Sequence, residues 1–573
     1  MGLFDLINNG FFKNFIDFSH IGRSTPEQER YFKDKASNFP VSYDLRKLNR
    51  VNKTVGDQNP YGTCWAFATL GAMESNYMTQ GLTSLGSKPN LSELHLAWFA
   101  YKDPTQGNSF TVNKDKAILD QSGQVLKASA LLSRMSSPVI EKSMPYSKAG
   151  TNKKKSDSVM TKYVGDKAPS DYFPLALNLK EWLLLGSVSD DNREKQKENI
   201  KKMLSVYGAV QISYYAGEGA TSPEGSTTAY FDNSHGTETN HGVLIVGWND
   251  NFSKTKFNKT KSKRPKNNGA WIVKNSWGKD WGNSGYFYMS YEQFIADASV
   301  FIVEEAKTDE KVYYHDALGF VSSHGYGKNT PAYAANVFKA TATEGIRSVG
   351  VYATDDNTKY EIYICNDLGT AKPSSPLSED IKRVASGTFM NAGYHTVDLF
   401  QHLLVKKNRY FSVIVKMTTP NSDKPIAVER VVKDYSDGAV IKSKESYFSS
   451  DMLTWTDGTK IRNDENKIAK SNACIKVFTF YGIPIDEAHF PDEQFRNWVS
   501  KNCDFDKDGY LSTKEIFQIK NVSVSKCNIA NLKGIEYFTA MKMLSCSNNN
   551  MTKLDVSKCN ALEILTCNNN KLT

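Results

Sequence analysis

Gln58-Asn59-Pro60-Tyr61-Gly62-Thr63-Cys64-Trp65-Ala66-Phe67-Ala68 is the stretch around which the chain is organised. A Pro/Gly turn leads into Cys64, an apolar run follows from Trp65 to Met73, and Gly81 is placed to end it. That order predicts a helix beginning at Cys64. The unpaired N–H groups of a helix start carry partial positive charge, which favours a thiolate over a thiol. No second cysteine lies nearby, the next being Cys365.

A nucleophilic thiol needs a base, and the base needs an orienting group. Asn240-His241-Gly242-Val243-Leu244-Ile245-Val246-Gly247-Trp248 offers a histidine entering a buried-strand pattern. Ala270-Trp271-Ile272-Val273-Lys274-Asn275-Ser276-Trp277-Gly278 closes the next apolar strand on Asn275. His235 lies in a polar loop with no strand to fix an imidazole, so His241 is the preferred base.

Gln58, Gly62-Thr63-Cys64-Trp65-Ala66-Phe67, Asn240-His241-Gly242 and Asn275-Ser276-Trp277-Gly278, then Trp281-Gly282 and Gly285-Tyr286, resemble in content and order the papain-like cysteine peptidases. The resemblance spans residues 40–306. It implies Cys64 as nucleophile, His241 as base, Asn275 as orienter, and Gln58 with the Cys64 backbone N–H as oxyanion donors. It also implies that Trp277 shields the His241–Asn275 contact and that Gly62, Gly123, Gly242 and Trp277 line the substrate groove. Gly242, directly after the histidine, is expected to leave one pocket wall open to bulky apolar side chains. Catalysis of this kind uses no cofactor.

The chain departs from the family in three places. Tyr61 stands where the family has a cysteine, and no Gly-Cys-Asn-Gly-Gly stretch offers its partner, so that disulfide is expected to be absent. The interval from Cys64 to His241 exceeds the family's typical separation of about 130 residues, through polar insertions. In Gln121-Ser122-Gly123 only Gly123 remains of the usual Gly-Gly pair. Asn90-Leu91-Ser92-Glu93-Leu94-His95 resembles a family helix start with Ser92 as N-cap, and His95 reads as a packing residue.

The expected fold class is multidomain α+β: a two-lobed peptidase, a β-sandwich, a small helix-loop-helix and the start of leucine-rich repeats. Residues 1–39 read as an N-terminal arm or reduced propeptide, with a helix from Ser24 to about Lys35. Residues 309–482 carry short alternating strands such as Arg347–Tyr352, Tyr360–Ile364 and Tyr410–Val415, the pattern of a sandwich. The endings Ser446-Tyr447-Phe448, Thr454-Trp455-Thr456-Asp457-Gly458 and Cys474-Ile475-Lys476 resemble the lectin-like domain that follows papain-type domains in some clostridial and archaeal surface peptidases. Trp455 itself reads more readily as a packed aromatic than as a sugar platform.

Asp504-Phe505-Asp506-Lys507-Asp508-Gly509-Tyr510-Leu511-Ser512-Thr513-Lys514-Glu515, within residues 483–520, fits the twelve-residue calcium loop. Asp504, Asp506, Asp508, the Tyr510 carbonyl and Glu515 are its expected Ca2+ ligands, with Phe495, Trp498 and Val499 before it and Ile516, Phe517 and Ile519 after it on helical faces. Within residues 521–573, Ala540-Met541-Lys542-Met543-Leu544-Ser545-Cys546 recurs about 21 residues on as Ala561-Leu562-Glu563-Ile564-Leu565-Thr566-Cys567, a leucine-rich-repeat period. The cysteines there are expected to be core residues, and the repeats read as truncated.

The net charge of +9 comes from local lysine runs, the densest between Lys254 and Lys266, read as an exposed hairpin insertion. Few aromatics interleave them, which speaks against a nucleic-acid partner. No apolar run approaches membrane-spanning length. Protein or peptide substrates are the expected partners, with a cell wall or glycan as a further contact, and the resemblance implies a cell-surface or extracellular place without a visible signal peptide. The competing reading is a surface adhesin in which the peptidase domain is a pedestal.

Overall fold

The computed structural model describes residues 39–103, 108–109, 116–121, 123–134, 138–165, 176–217, 229–258, 261–306, 310–433, 435–480, 482–507, 509–559 and 561–572. The expected arm before Phe39, Ser122 of the groove segment and Asp508 of the acidic loop lie outside them.

Helix Cys64–Gln80 is the spine of the first lobe. It is buried on nearly every side from Cys64 to Tyr77, so it carries no amphipathic stripe and only its ends are legible by rule. Gly81 stops it at φ 73°, donating its N–H to the carbonyls of Met78 and Tyr77, a left-handed turn that glycine adopts without a Cβ clash. Helices Glu93–Phe99 and Val125–Leu132 pack beside it. Ser92 caps the former by accepting the His95 N–H, and His95 is fully buried against Phe99.

The second lobe is antiparallel. Its strands lie in the order Leu177–Val188, Ile295–Glu305, Val210–Tyr214, His241–Asn249, Ala270–Lys274 and Tyr286–Ser290. The spine helix lies across His241–Asn249 and Ile295–Glu305. This places the helix start and the beginning of the His241 strand at the boundary between lobes. The insertion between strands His241–Asn249 and Ala270–Lys274 is anchored as well as solvated, because Phe252 and Phe257 are buried, Phe252 stacking on Tyr288.

The strands between Glu310 and Phe480 form a sandwich. Glu344–Ala353, Ala392–Val405 and Ile475–Phe480 make one sheet, facing a sheet of Lys382–Phe389, Thr358–Cys365, Tyr410–Thr418, Ala332–Lys339 and Ser446–Ser449. Alternate residues such as Val349, Val351, Ile362, Ile364, Val413 and Val415 are buried between them. Trp455 packs beside Tyr447 and donates its indole N–H to the Met452 carbonyl.

The sandwich and the second lobe are joined through a pair of strands. Ala392, Gly393, Tyr394 and His395 pair antiparallel with Leu184, Leu183, Trp182 and Glu181. Among the described residues, one sheet of fifteen strands therefore runs from the sandwich through the second lobe. Gly393 (φ 126°) makes the join possible, since a Cβ there would stand 1.9 Å from the Trp182 carbonyl oxygen. Trp182, Tyr352 and Tyr394 are all buried at this seam, with ring centroids 6.4 and 5.1 Å apart in sequence of contact. Asp316 and Lys476, both fully buried, form an ion pair close by.

The two C-terminal regions also share one core, from Phe490, Phe495 and Val499 to Leu544, Cys546 and Cys559. Helix Glu493–Asn502 precedes the acidic loop and the short helix Thr513–Gln518 follows it. Phe517, expected on a packed helical face, is 68% exposed, because that helix ends one residue later and only its other side meets the core. Strands Asn521–Ser523, Met543–Ser545 and Ile564–Thr566 pair in parallel, with Ser547 Oγ donating to Asn568 Oδ1 one period away.

Candidate functional site

Cys64 opens the spine helix, and Thr63 precedes it with no side-chain cap bond, so helix N–H groups remain directed at this end. His241 begins its strand and Asn275 directly follows strand Ala270–Lys274. The two strands are paired, Leu244 opposite Lys274, which carries both residues to one edge of the sheet. His241 Nε2 and Asn275 Oδ1 are 2.8 Å apart. The amide oxygen only accepts, so Nε2 carries the proton and Nδ1 of the neutral ring keeps its lone pair. Ser276 N–H donates to the same Oδ1 at 2.8 Å, fixing the amide's orientation. Trp277 stacks on the His241 ring at 4.7 Å and 26°, and Trp281 stands edge-on to Trp277 at 5.0 Å.

Cys64 is 5% exposed, His241 4% and Asn275 4%. The Gly242 N–H lies 3.4 Å from Cys64 Sγ. Burial raises the thiol above its ordinary range, with the N–H groups of Gly242, Trp65 and Cys64 pulling the other way. Burial also pushes His241 down to about 4, against the Asn275 hydrogen bond. The helix start and the Gly242 N–H favour a thiolate, and desolvation opposes it.

Gln58 is fixed at both ends of its amide. Oε1 accepts from Ser276 Oγ at 2.7 Å, and Nε2 donates to the Tyr61 carbonyl at 3.0 Å. One Nε2 hydrogen is left for another acceptor. Gly62 lies half-buried in the turn ahead of the helix. Gly123 lies flat on the indole of Trp65, where a Cβ would approach Cε2 to 2.2 Å. Gly242, expected to leave one pocket wall open, also stands where its strand approaches the helix closely. A Cβ there would meet the Trp65 backbone at 3.3 Å, so its smallness lets the His241 strand close on the helix.

Tyr61, in the place of the family cysteine, donates its hydroxyl to the carbonyls of Ala149 and Gly150 at 2.9 and 3.0 Å. The Tyr146 hydroxyl donates to the Gln58 carbonyl at 2.8 Å and meets Thr63 Oγ1 at 2.5 Å. The two bonds of Ser276 to the site, to Asn275 and Gln58, are not legible from spacing.

Behind the site lies a cavity of about 230 Å³, lined by Glu74, Glu93, Glu141 and Lys274 with Gly242 and Asn275. Burial raises Glu74 and Glu141 to about 7 and lowers Lys274. Lys274 Nζ donates to the Asn52 carbonyl at 2.8 Å, and Glu74 accepts the Leu91 N–H at 2.8 Å.

In the C-terminal region, carboxylate oxygens of Asp504, Asp506 and Glu515 lie within 4.8 Å of one another. The turn between them uses left-handed residues at Lys507 (φ 60°) and Gly509 (φ 84°). Asp504 accepts the Gly509 N–H at 3.0 Å, and Glu515 accepts the N–H groups of Phe505 and Ser512. Hard oxygen donors converging on a turn fit a hard divalent cation.

Residues 39–306 match the family model "Papain family cysteine protease" and residues 312–479 match "Lectin like domain". Vignain of Ricinus communis is 28% identical over 268 residues, which are 46% of this chain and 58% of the relative. Procathepsin L of Rattus norvegicus is 24% identical over 256 residues, 44% of this chain and 61% of the relative. The chain thus spans about three-fifths of the length of these relatives. The crystal structure of the cysteine protease and lectin-like domains of Cwp84, described as a surface layer associated protein of Clostridium difficile, superposes with TM-score 0.62 at 24% identity, over 83% of this chain and 95% of that one. Among the described residues no helix is long and apolar enough to cross a membrane.

Proposed function

We propose that the chain is a thiol endopeptidase acting on proteins at a cell surface, proceeding from residues 39–306 as a papain-family cysteine protease domain and residues 312–479 as a lectin-like domain. The observation that carries the reading is the His241–Asn275 bond of 2.8 Å, beneath Trp277 and beside a thiol that touches the N–H of Gly242. The surface location is supported by the likeness in fold to a surface-layer-associated protein.

In this mechanism Cys64 sulfur attacks the peptide carbonyl as its proton passes to His241 Nδ1. Asn275 keeps Nε2 protonated and the ring aligned. The oxyanion is met by the Cys64 backbone N–H and the second hydrogen of Gln58 Nε2, a kind of donor pair that contributes about 10² or more in rate. His241 then protonates the leaving amine, and water, deprotonated by the same ring, releases the acyl group. Digestion of a mixed peptide library by the full chain tests this, with mass spectrometry locating both the cleavage sites and the cysteine alkylated by iodoacetamide. Cleavage that stops as Cys64 is alkylated supports the proposal; no cleavage of any peptide overturns it.

The pH profile carries a sign. His241 sits near 4 rather than in the ordinary histidine range, so the ring becomes charged, and useless as a base, only as pH falls through about 4. The acid limb of kcat should have its midpoint near 4, and a midpoint near 6.5 would contradict the buried pair.

We also propose that Asp504, Asp506 and Glu515, with the Tyr510 carbonyl and Asp508, hold Ca2+. The ion would clip the helix Glu493–Asn502 to the parallel strands, whose core it adjoins. Calcium at about a hundred times its Kd should stabilise the C-terminal region by about 2.7 kcal/mol, reversed by chelator and lost in Glu515→Gln. Differential scanning calorimetry with and without calcium reads this, and an unchanged transition would refute it.

A further inference from the structure

Helix Val125–Leu132 is buried along its whole length, between the spine helix and the lectin-like domain. Its N-cap residue, Gln124, makes no side-chain cap bond. Glutamine is a poor cap, so the segment that enters this helix lacks the usual local fixing. Gln124 Nε2 instead donates to the hydroxyl of Tyr435 at 3.0 Å, across the domain boundary. One turn on, Lys127 Nζ donates to the Tyr435 carbonyl at 2.9 Å and lies 4.4 Å from the centre of its ring. Tyr435 is 2% exposed and so holds the first turn of the helix from both its hydroxyl and its backbone.

The residue before Gln124 is Gly123, whose backbone lies on the Trp65 indole next to Cys64. The entering segment is therefore fastened twice, by Trp65 beneath Gly123 and by Tyr435 on Gln124. Further contacts keep the lectin-like domain seated on the same helix. Gly319 comes close to Ala130, and Ser133 Oγ is 3.2 Å from the Tyr352 hydroxyl.

We propose that Tyr435 of the lectin-like domain is a positioning residue for the substrate groove of the peptidase domain, acting through Gln124 on the Gly123 wall. The proposal rests on the peptidase reading above. It makes the second domain part of the apparatus that binds substrate, with no contact of its own to the reacting atoms.

Tyr435→Phe in the full chain removes the bond to Gln124 and keeps the ring over Lys127. The expected result is a KM raised about three- to tenfold for peptides extended on the acyl side of the scissile bond, the scale of one lost hydrogen bond. The kcat should stay within about twofold, and the rate of Cys64 alkylation by iodoacetamide, which needs no groove, should not move. Hydrogen exchange of the Gly123–Lys127 amides should quicken. Tyr435→Ala should act in the same direction and further. An unchanged KM with unchanged exchange in Tyr435→Phe overturns the proposal, as does a joint fall of kcat and alkylation, which would mark general loss of structure. A native chain that cleaves no peptide removes the peptidase reading alone; exchange at Gly123–Lys127 then still decides whether Tyr435 holds the segment.

Discussion

Cys64→Ala should abolish peptide hydrolysis, lowering kcat by about 10⁴-fold or more. Alanine leaves no atom able to form the acyl bond, and neither the Gln58 donor nor the His241 base can substitute for it. The scaffold should be untouched, because the side chain lost is small and the polar groups that meet it are backbone N–H groups, that of Gly242 at 3.4 Å among them. A fluorogenic peptide assay beside a thermal melt separates the two effects. Residual activity above about one per cent, with the fold intact, would move the nucleophile elsewhere. Asn275→Ala should be milder, since the ring would remain stacked on Trp277 while losing the acceptor that sets its tautomer.

Gly393→Ala should be the most damaging single change outside the site. The residue has φ 126°, and an added Cβ would lie 1.9 Å from a backbone oxygen that cannot rotate away. Strain in such a conformation and overpacking each cost about 1–3 kcal/mol. We expect a loss of about 3 kcal/mol or more, seen as a melting point lower by roughly 6 °C or more. Because the clash falls where Ala392–His395 pair with Glu181–Leu184, new proteolytic sensitivity should appear between the two domains. A melt within a degree of native, with an unchanged digestion pattern, would contradict the account.

The legible parts were those that local chemistry dictates. Pro60 and Gly62 before Cys64, and Gly81 after the run, marked the spine helix at both ends. Apolar runs leading from His241 and into Asn275 marked paired strands, and the alternation at Val349 and Val351 marked a sandwich face. What spacing could not carry was partnership between distant segments. Nothing around Gly393 names Trp182 as its neighbour, and nothing around Tyr435 names Gln124. The close approach of Gly242 to the helix was not legible, because a glycine looks the same whether it opens a pocket or admits a helix backbone. The balance at the thiol is only half legible for a related reason: the helix start is visible in the sequence, while desolvation depends on everything packed around it.

Tyr61 has one more consequence. Its hydroxyl ties the turn before Cys64 to the carbonyls of Ala149 and Gly150, and all eight cysteines of the chain are free. Hydrogen bonds of this kind are indifferent to redox potential. A reductant strong enough to keep Cys64 from oxidising therefore has no cross-link in the scaffold to break, so the conditions that preserve the nucleophile and those that preserve the fold never conflict.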